Sequence, residues 1–343
     1  MKWFKYKYWW SLLSAFGLCL LTSLANEACS KENSLDLDSW NKLIVQPSNS
    51  AYLHNNPLPE GKHQIRVLCI GNSYTNDALK YVCRLLTAAG IDASSYSIYS
   101  LPRTAASVEH WCKVAESGEV VQLNYKGGEK MPVEEGSLAS VVAQDWDVIT
   151  LQQASKDAVD YSTFNPWLQQ LIDFLLLHCT NPQVTLAWQT AWSYNKVYGK
   201  ISSYERWRQM SSAVIQMIIV DGIDVLIPTG TAIQNARTTE LSTDDSELTH
   251  DGVHLDRGVG CYVASCTWVE AICGPVFDIT VLGNEFTPEL QADSTATYPP
   301  TAVTPENREL CQRCAVAAVK NPFEVQNMDY FFVAPEENAT FVP

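Results

Sequence analysis

The sequence predicts an α/β protein built on a mostly parallel sheet covered on both faces. Two observations carry this prediction. Short apolar runs alternate along the chain with segments whose apolar residues recur at helical spacing. Runs such as "VLCI" also carry almost no polarity, as expected of strands buried on both sides.

The elements follow in order. "IRVLCIG" opens the body with a strand at 65–70. A helix is expected at 77–89, with Leu79, Val82, Leu85, Leu86 and Ala89 on one face. A weaker strand at 94–99 and a helix at 106–116 come next. "DWDVITLQQAS" (145–155) supplies the third strand, and 164–177 is a strong helix, with Phe164, Trp167, Leu168, Leu171, Ile172 and Leu175 at helical spacing. "QVTLAWQTAW" (183–192) is the fourth strand. The fourth helix, 203–220, carries Tyr204, Trp207, Met210, Val214 and Met217, and "IDVLIPTG" (223–230) is the fifth strand. A helix at 257–273, with Val259, Tyr262, Val263, Cys266 and Val269 on one side, closes the series.

Two regions interrupt the alternation. Residues 119–137 hold Lys126-Gly127-Gly128 between short β-prone runs and read as an inserted hairpin. Residues 275–343 are Pro-rich around "YPPTAVTP" and offer one helix near 305–319. They read as a C-terminal extension packed on the main domain, because ~70 residues with one helix make a poor core of their own.

Before the body lies a leader. Lys2, Lys5 and Lys7 form a basic start, and the apolar run Trp9 to Ala25 is short for a membrane span, so residues 1–28 read as a signal peptide. Two endings fit: cleavage after Ser23-Leu24-Ala25, or lipidation of Cys29, which would anchor the chain to a membrane. Asn26 stands where a lipobox has an apolar residue. Residues 29–62, polar and with Pro47, Pro57 and Pro59, form a linker to a domain at 63–274.

Composition narrows the function. The 343 residues are 46% hydrophobic, enough for a full core, and the formal net charge of -15 argues against a nucleic-acid partner. A neutral or weakly charged substrate fits better. Of eleven cysteines, Cys19 and Cys29 fall in the leader region. Cys69, Cys83, Cys179 and Cys266 sit among apolar neighbours and read as small buried hydrophobes. Cys311 and Cys314 form a C-x-x-C with no second pair and no suitably spaced His. That argues against a zinc site there and leaves a local disulfide open.

In an open parallel sheet, ligands bind beyond the carboxyl ends of the strands. Ser73 follows the first strand and Gln152 and Gln153 the third, while Asp251 and His254 precede the last helix in "LTHDGVHLDRGVG" (248–260). A serine hydroxyl needs a base, and the base needs a carboxylate to fix its tautomer. Asp251 and His254, three apart in a turn, can meet through Nδ1 and leave Nε2 for Ser73. The oxyanion donors would be the Ser73 N–H, the Gln152 amide and a backbone N–H from the loop after the second strand, near Thr104 and Ala105.

Each of these residues also has a plainer reading. Ser73 alone could be an N-cap and His254 a structural histidine; the D-x-x-H companion makes the catalytic reading the better one. His250, Asp251 and His254 are also a legitimate metal shell, which would make the protein a metallohydrolase but would leave Ser73 idle. No metal and no cofactor is therefore expected. Trp111, Trp188, Trp192 and Tyr194 are core aromatics by default, although Trp192, leaving the fourth strand at the functional edge, could floor a sugar site.

The blocks "IGNSYTNDA", "DVITLQQAS", "LAWQTAWSY", "IPTGTAIQNAR" and "DGVHLDRGVGCYVASCTW", collinear over roughly 65–273, resemble the SGNH/GDSL hydrolase superfamily and its DUF4886 branch, found in Bacteroidetes. The resemblance implies a three-layer, flavodoxin-like SGNH fold with a five-stranded parallel sheet. It implies Ser73 as nucleophile, in "GNS" where many members have "GDS", with Asp251 and His254 completing a triad. The superfamily's Asn block is replaced here by "LQQAS", and its Gly region reads "LPRTAASVEHW". The implied activity is that of an exported serine esterase, in the periplasm or as an outer-membrane lipoprotein of a Gram-negative bacterium. It would remove a small acyl group, O-acetyl above all, from a carbohydrate or other small ester. The rival is a surface glycan-binding lipoprotein that keeps the fold without catalysis. The sequence sets no oligomeric state.

Overall fold

The computed structural model describes residues 64–328, apart from 134, 222, 243 and 291–293. The signal peptide, Cys29 and most of the linker lie outside the described residues, as does the tail of the C-terminal extension.

The protein has a mixed α/β architecture around one six-stranded sheet, ordered β3-β2-β1-β4-β5-β6. The strands are β1 (Ile65–Gly71), β2 (Tyr96–Pro102), β3 (Asn124–Gly128), β4 (Val148–Leu151), β5 (Thr185–Gln189) and β6 (Val225–Ile227). All pairings are parallel except that of β3 with β2. The strand count therefore corrects the expected five. The sixth strand is the segment read as an inserted hairpin, which lies antiparallel along β2 as the sheet's edge. Gly128, at φ +96, permits it, since a Cβ there would stand 2.1 Å from the Tyr96 carbonyl oxygen.

Side chains alternate between the two faces of the sheet, because successive residues of a strand point to opposite sides. Val67 and Cys69 of β1, with Ala187, Val225 and Ile227, enter one core; Leu68 and Ile70, with Leu186, Trp188 and Leu226, enter the other. The first core is roofed by α1 (Ser73–Ala78), α2 (Val82–Ala88), α7 (Thr229–Arg237), α8 (Val259–Trp268) and α9 (Arg308–Lys320). The second is roofed by α3 (Val108–Ser117), α4 (Leu138–Val142), α5 (Trp167–His178) and the greater part of α6 (Ser203–Asp221). Three layers result.

The helix expected at 77–89 is two helices, and the first starts at Ser73. A turn at 79–81 separates them, held where Tyr81 N–H donates to Ser265 Oγ at 3.1 Å. Helix α7 was not foreseen, for a physical reason. Its sequence TGTAIQNAR buries Thr229, Thr231, Gln234 and Asn235 along with Ala232, Ile233 and Ala236, so residue type does not announce its burial. Gly230 lets it pack closely, since a Cβ there would lie 2.3 Å from the Ala191 carbonyl oxygen.

Helix α8 runs on through a π-helical turn, Val269–Cys273, to Phe277. That run is long and apolar enough to cross a membrane, but 89% of its most apolar window is buried in the protein, which is how a core helix behaves. Helix α9 packs against α7 and α8 with Cys311 and Cys314 fully buried. All nine described cysteines are free thiols, so Cys311 and Cys314 form no disulfide.

Candidate active site

Strand β1 has β2 on one side and β4 on the other, and the order of connection reverses there. This is the switch point at which loops diverge and open a crevice beyond the carboxyl ends. The chain leaves β1 through Gly71, where a Cβ would meet Thr75 Oγ1 at 2.1 Å. Asn72, in extended conformation, caps α1 by accepting the Tyr74 N–H at 3.0 Å. Ser73 is thus held at the start of a helix. Its main-chain N–H makes no hydrogen bond among the described residues.

Asp251 and His254 occupy a tight loop closed by an antiparallel bridge between Thr249 and Leu255 and by the His250 N–H donating to the His254 carbonyl at 2.9 Å. Gly252 makes the turn at φ +93. The spacing of three works because Asp251 uses both oxygens. Oδ1 accepts the Val253 and His254 N–H groups at 2.8 and 2.7 Å, while Oδ2 meets His254 Nδ1 at 2.7 Å. Partial burial pushes the Asp251 carboxyl up, but these hydrogen bonds outweigh it and hold the group below its ordinary value. The other ring nitrogen, Nε2, lies 2.9 Å from Ser73 Oγ. Residues 73, 251 and 254 therefore form one continuous relay.

The imidazole is steadied from behind. Tyr74 stacks on Trp192, with centroids 3.8 Å apart and planes 6° from parallel. The Tyr74 hydroxyl and Trp192 Nε1 both donate to the Val253 carbonyl, at 3.0 and 2.9 Å. Trp192 is 0% exposed, so it cannot touch a sugar; the expectation of a stacking floor there is corrected to a clamp on the residue before His254.

Gln152 and Gln153 also differ from expectation. Gln152 is 2% exposed: its Nε2 donates to Asn72 Oδ1, and its Oε1 accepts from Thr75 Oγ1 at 2.6 Å and Gln189 Nε2 at 3.0 Å. Gln153 Oε1 accepts the Val108 and Ala154 N–H groups at 3.1 and 2.9 Å, and its Nε2 donates to Thr163. Both amides are structural ties rather than donors aimed into the crevice, because each is spent on buried partners. Thr104 and Ala105 are exposed, and Ala105 sits at φ +53, in the left-handed region a glycine would favour. The backbone thus takes a glycine-like turn without glycine. The Ala105 N–H, like that of Ser73, has no partner among the described residues.

Two contributors went unread in the sequence. Asn72, 3% exposed, donates through Nδ2 to the Ala106 carbonyl at 2.9 Å and to the Gln153 carbonyl at 3.5 Å, tying three strand-end loops together. Aspartate has no N–H to do this. Asp77, four residues after Ser73 and so on the same face of α1, accepts the Leu255 N–H at 3.1 Å. Burial pushes its carboxyl up to about 7, against the opposing pull of His254, the Leu255 N–H and Lys80. The spacing of 73 and 77 was the available signal for it.

Beside Asp251 an open groove is lined by Asn195, Val197, Tyr198, Lys200 and Tyr298, with Tyr198 58% exposed. The groove is reached from solvent, and it ends against the acid of the relay.

A family described as "Domain of unknown function (DUF4886)" matches residues 66–303. No curated protein matches the chain. Among solved structures, a DUF4886 family protein from Bacteroides uniformis ATCC 8492 is similar at 26% identity and TM-score 0.65, over 78% of this chain and 98% of that one. An acetyl xylan esterase aligns at 16% identity and TM-score 0.43, over 61% of this chain and 100% of its own. A carbohydrate esterase family 3 protein from Talaromyces cellulolyticus aligns at 12% identity and TM-score 0.42, over 63% and 100%.

Proposed function

The chain belongs to the DUF4886 family, and from that membership and the geometry of its crevice we propose that it is an exported serine esterase that removes a small acyl group from a carbohydrate. The single observation carrying the reading is the unbroken line from Ser73 Oγ to His254 Nε2, at 2.9 Å, and from His254 Nδ1 to Asp251 Oδ2, at 2.7 Å.

Ser73 Oγ attacks the acyl carbonyl while His254 Nε2 takes its proton, and the imidazolium so formed is stabilised by Asp251. The N–H groups of Ser73 and Ala105 receive the oxyanion; one such donor is worth about 3 kcal/mol in the transition state. Collapse breaks the bond to the sugar oxygen, which leaves with the proton from His254. A water then repeats the sequence on the acyl-enzyme, giving the free acid and restoring Ser73. No cofactor enters these steps. The carbohydrate class follows from the family resemblance and the expected export. The exposed Tyr198 in the adjoining groove is the aromatic surface on which a sugar ring would rest.

The test is a fluorophosphonate reaction followed by intact mass and peptide mapping, with Ser73→Ala as control. One adduct on the Ser73 peptide, and p-nitrophenyl acetate turnover lost in the variant, are expected. Equal turnover in both proteins would favour the non-catalytic glycan-binding reading. The absence of glycine in the loop after β2 supports that rival; the left-handed turn of Ala105 in the same loop supports the esterase.

A further inference from the structure

We propose that His250, Asp251 and His254 form a binding site for a borderline divalent cation, Zn2+ in the first place, whose occupancy switches the Ser73 relay off. Each residue offers one ligand atom, and the three atoms lie within 4.8 Å of one another. Two imidazoles and a carboxylate are a donor set that zinc accepts, with a water completing the shell.

His250 supplies the observation that the esterase reading leaves over. It takes no part in the relay, yet its ring lies 5.8 Å from that of His254, at 26° between planes. Its Nδ1 is buried and has no hydrogen-bond partner among the described residues. A buried polar nitrogen without a partner costs free energy, and a coordinated cation removes that cost. The main chain holds the residue in place, since the Thr297 and Tyr298 N–H groups both donate to its carbonyl, at 2.8 and 3.0 Å. An ion can reach the site: the Asp251 and His254 side chains are 34% and 33% exposed, and the chain's net charge of -15 concentrates cations near its surface.

Coordination and catalysis exclude each other here. Both ring nitrogens of His254 are already committed, Nε2 to Ser73 and Nδ1 to Asp251. A metal on Nε2 removes the base that takes the serine proton. One on Nδ1 removes the contact that fixes the tautomer. The ion is an inhibitor of this site rather than its cofactor. The inhibitory consequence rests on the esterase reading, whereas binding itself does not.

The experiment keeps the two apart. ZnCl2 is titrated calorimetrically into the full chain and into Ser73→Ala, His250→Ala and His250→Gln, each checked for folding by circular dichroism. We expect one ion bound by wild type and by Ser73→Ala, and affinity at least ~10-fold weaker in both His250 variants, the loss of one ligand. With p-nitrophenyl acetate, zinc should silence the wild type and EDTA restore it. The His250 variants, with metal-free rates within about 2-fold of wild type, should need at least ~10-fold more zinc. No binding by wild type, or equal affinity in wild type and either folded His250 variant, overturns the proposal. An inactive wild type that still binds zinc through His250 overturns the esterase reading and leaves the site standing.

Discussion

Asn72→Asp replaces a buried amide by a carboxyl of nearly the same shape, and in this chain it should be costly. Asn72 is 3% exposed and uses both ends of its amide. Oδ1 accepts from Tyr74 N and Gln152 Nε2, and Nδ2 donates to the carbonyls of Ala106, at 2.9 Å, and Gln153, at 3.5 Å. An aspartate keeps the first two bonds and turns an ionised oxygen toward two carbonyl oxygens. Losing a buried bond that leaves its acceptor unsatisfied costs roughly 1–3 kcal/mol. The new carboxyl can escape by staying protonated and donating, at about 1.4 kcal/mol for each unit by which its pKa must rise. Together these give a loss of about 2–4 kcal/mol at pH 8 and roughly half that at pH 5. The sign follows from linkage: the folded variant would hold a proton that the unfolded chain has released, so its stability falls as pH rises. Urea denaturation of both proteins at the two pH values measures it. A penalty below ~1 kcal/mol, or one independent of pH, would refute the argument that the Asn72 N–H groups tie the three loops.

Three further outcomes follow from the same coordinates. Asp251→Asn should lower kcat by about 10^3- to 10^4-fold with little change in KM, because an amide facing His254 Nδ1 favours the wrong tautomer; a loss under ~10-fold in steady-state assays would remove Asp251 from the relay. Burial raises both Asp77 and Asp256 to about 7, so the native state binds more protons than the unfolded chain between roughly pH 4 and 7, and these groups make stability fall as pH rises through that window. Asp77→Asn should flatten that fall by about 1–3 kcal/mol, discounted for the group's partial exposure, and a denaturation-against-pH curve unchanged from wild type would contradict it. Tyr198→Ala should raise KM for an acetylated oligosaccharide ~10-fold while sparing p-nitrophenyl acetate, and equal effects on both would remove Tyr198 from the sugar site.

The strands of the parallel sheet were legible because buried strands are written as continuous apolar runs. The amphipathic helices α5 and α6 announced themselves by their period, and α8, although buried on every side, by its run of apolar residues. Elements that obey neither rule stayed hidden in whole or in part. Helix α7 buries Thr229, Thr231, Gln234 and Asn235, polar residues that give no apolar run to reveal it. Strand β3, NYKGG, was legible as β structure in an inserted hairpin, but its place as the sheet's antiparallel edge was not, because that pairing depends on a glycine fitting against Tyr96.

At the site, residue types and local spacing pointed to Ser73, Asp251 and His254, because D-x-x-H in a turn is a local device whose hydrogen bonds close within four residues. Roles that depend on which way a side chain faces were not local. Gln152 and Trp192 look like ligand-contacting groups in sequence, and each is turned inward onto partners far along the chain: Asn72 for one, Val253 for the other. The same holds for Asn72 itself, whose partners at 106 and 153 come together only when β1, β2 and β4 align. The sequence by itself determined which chemical groups are present and which strand ends carry them, since apolar patterning and turn chemistry act over a few residues. Tertiary structure alone decided that Ser73 and His254, 181 residues apart, meet at 2.9 Å, and that the neighbouring amides serve as scaffold. That distance is set by how the layers pack around β1, and packing is a property of the whole chain.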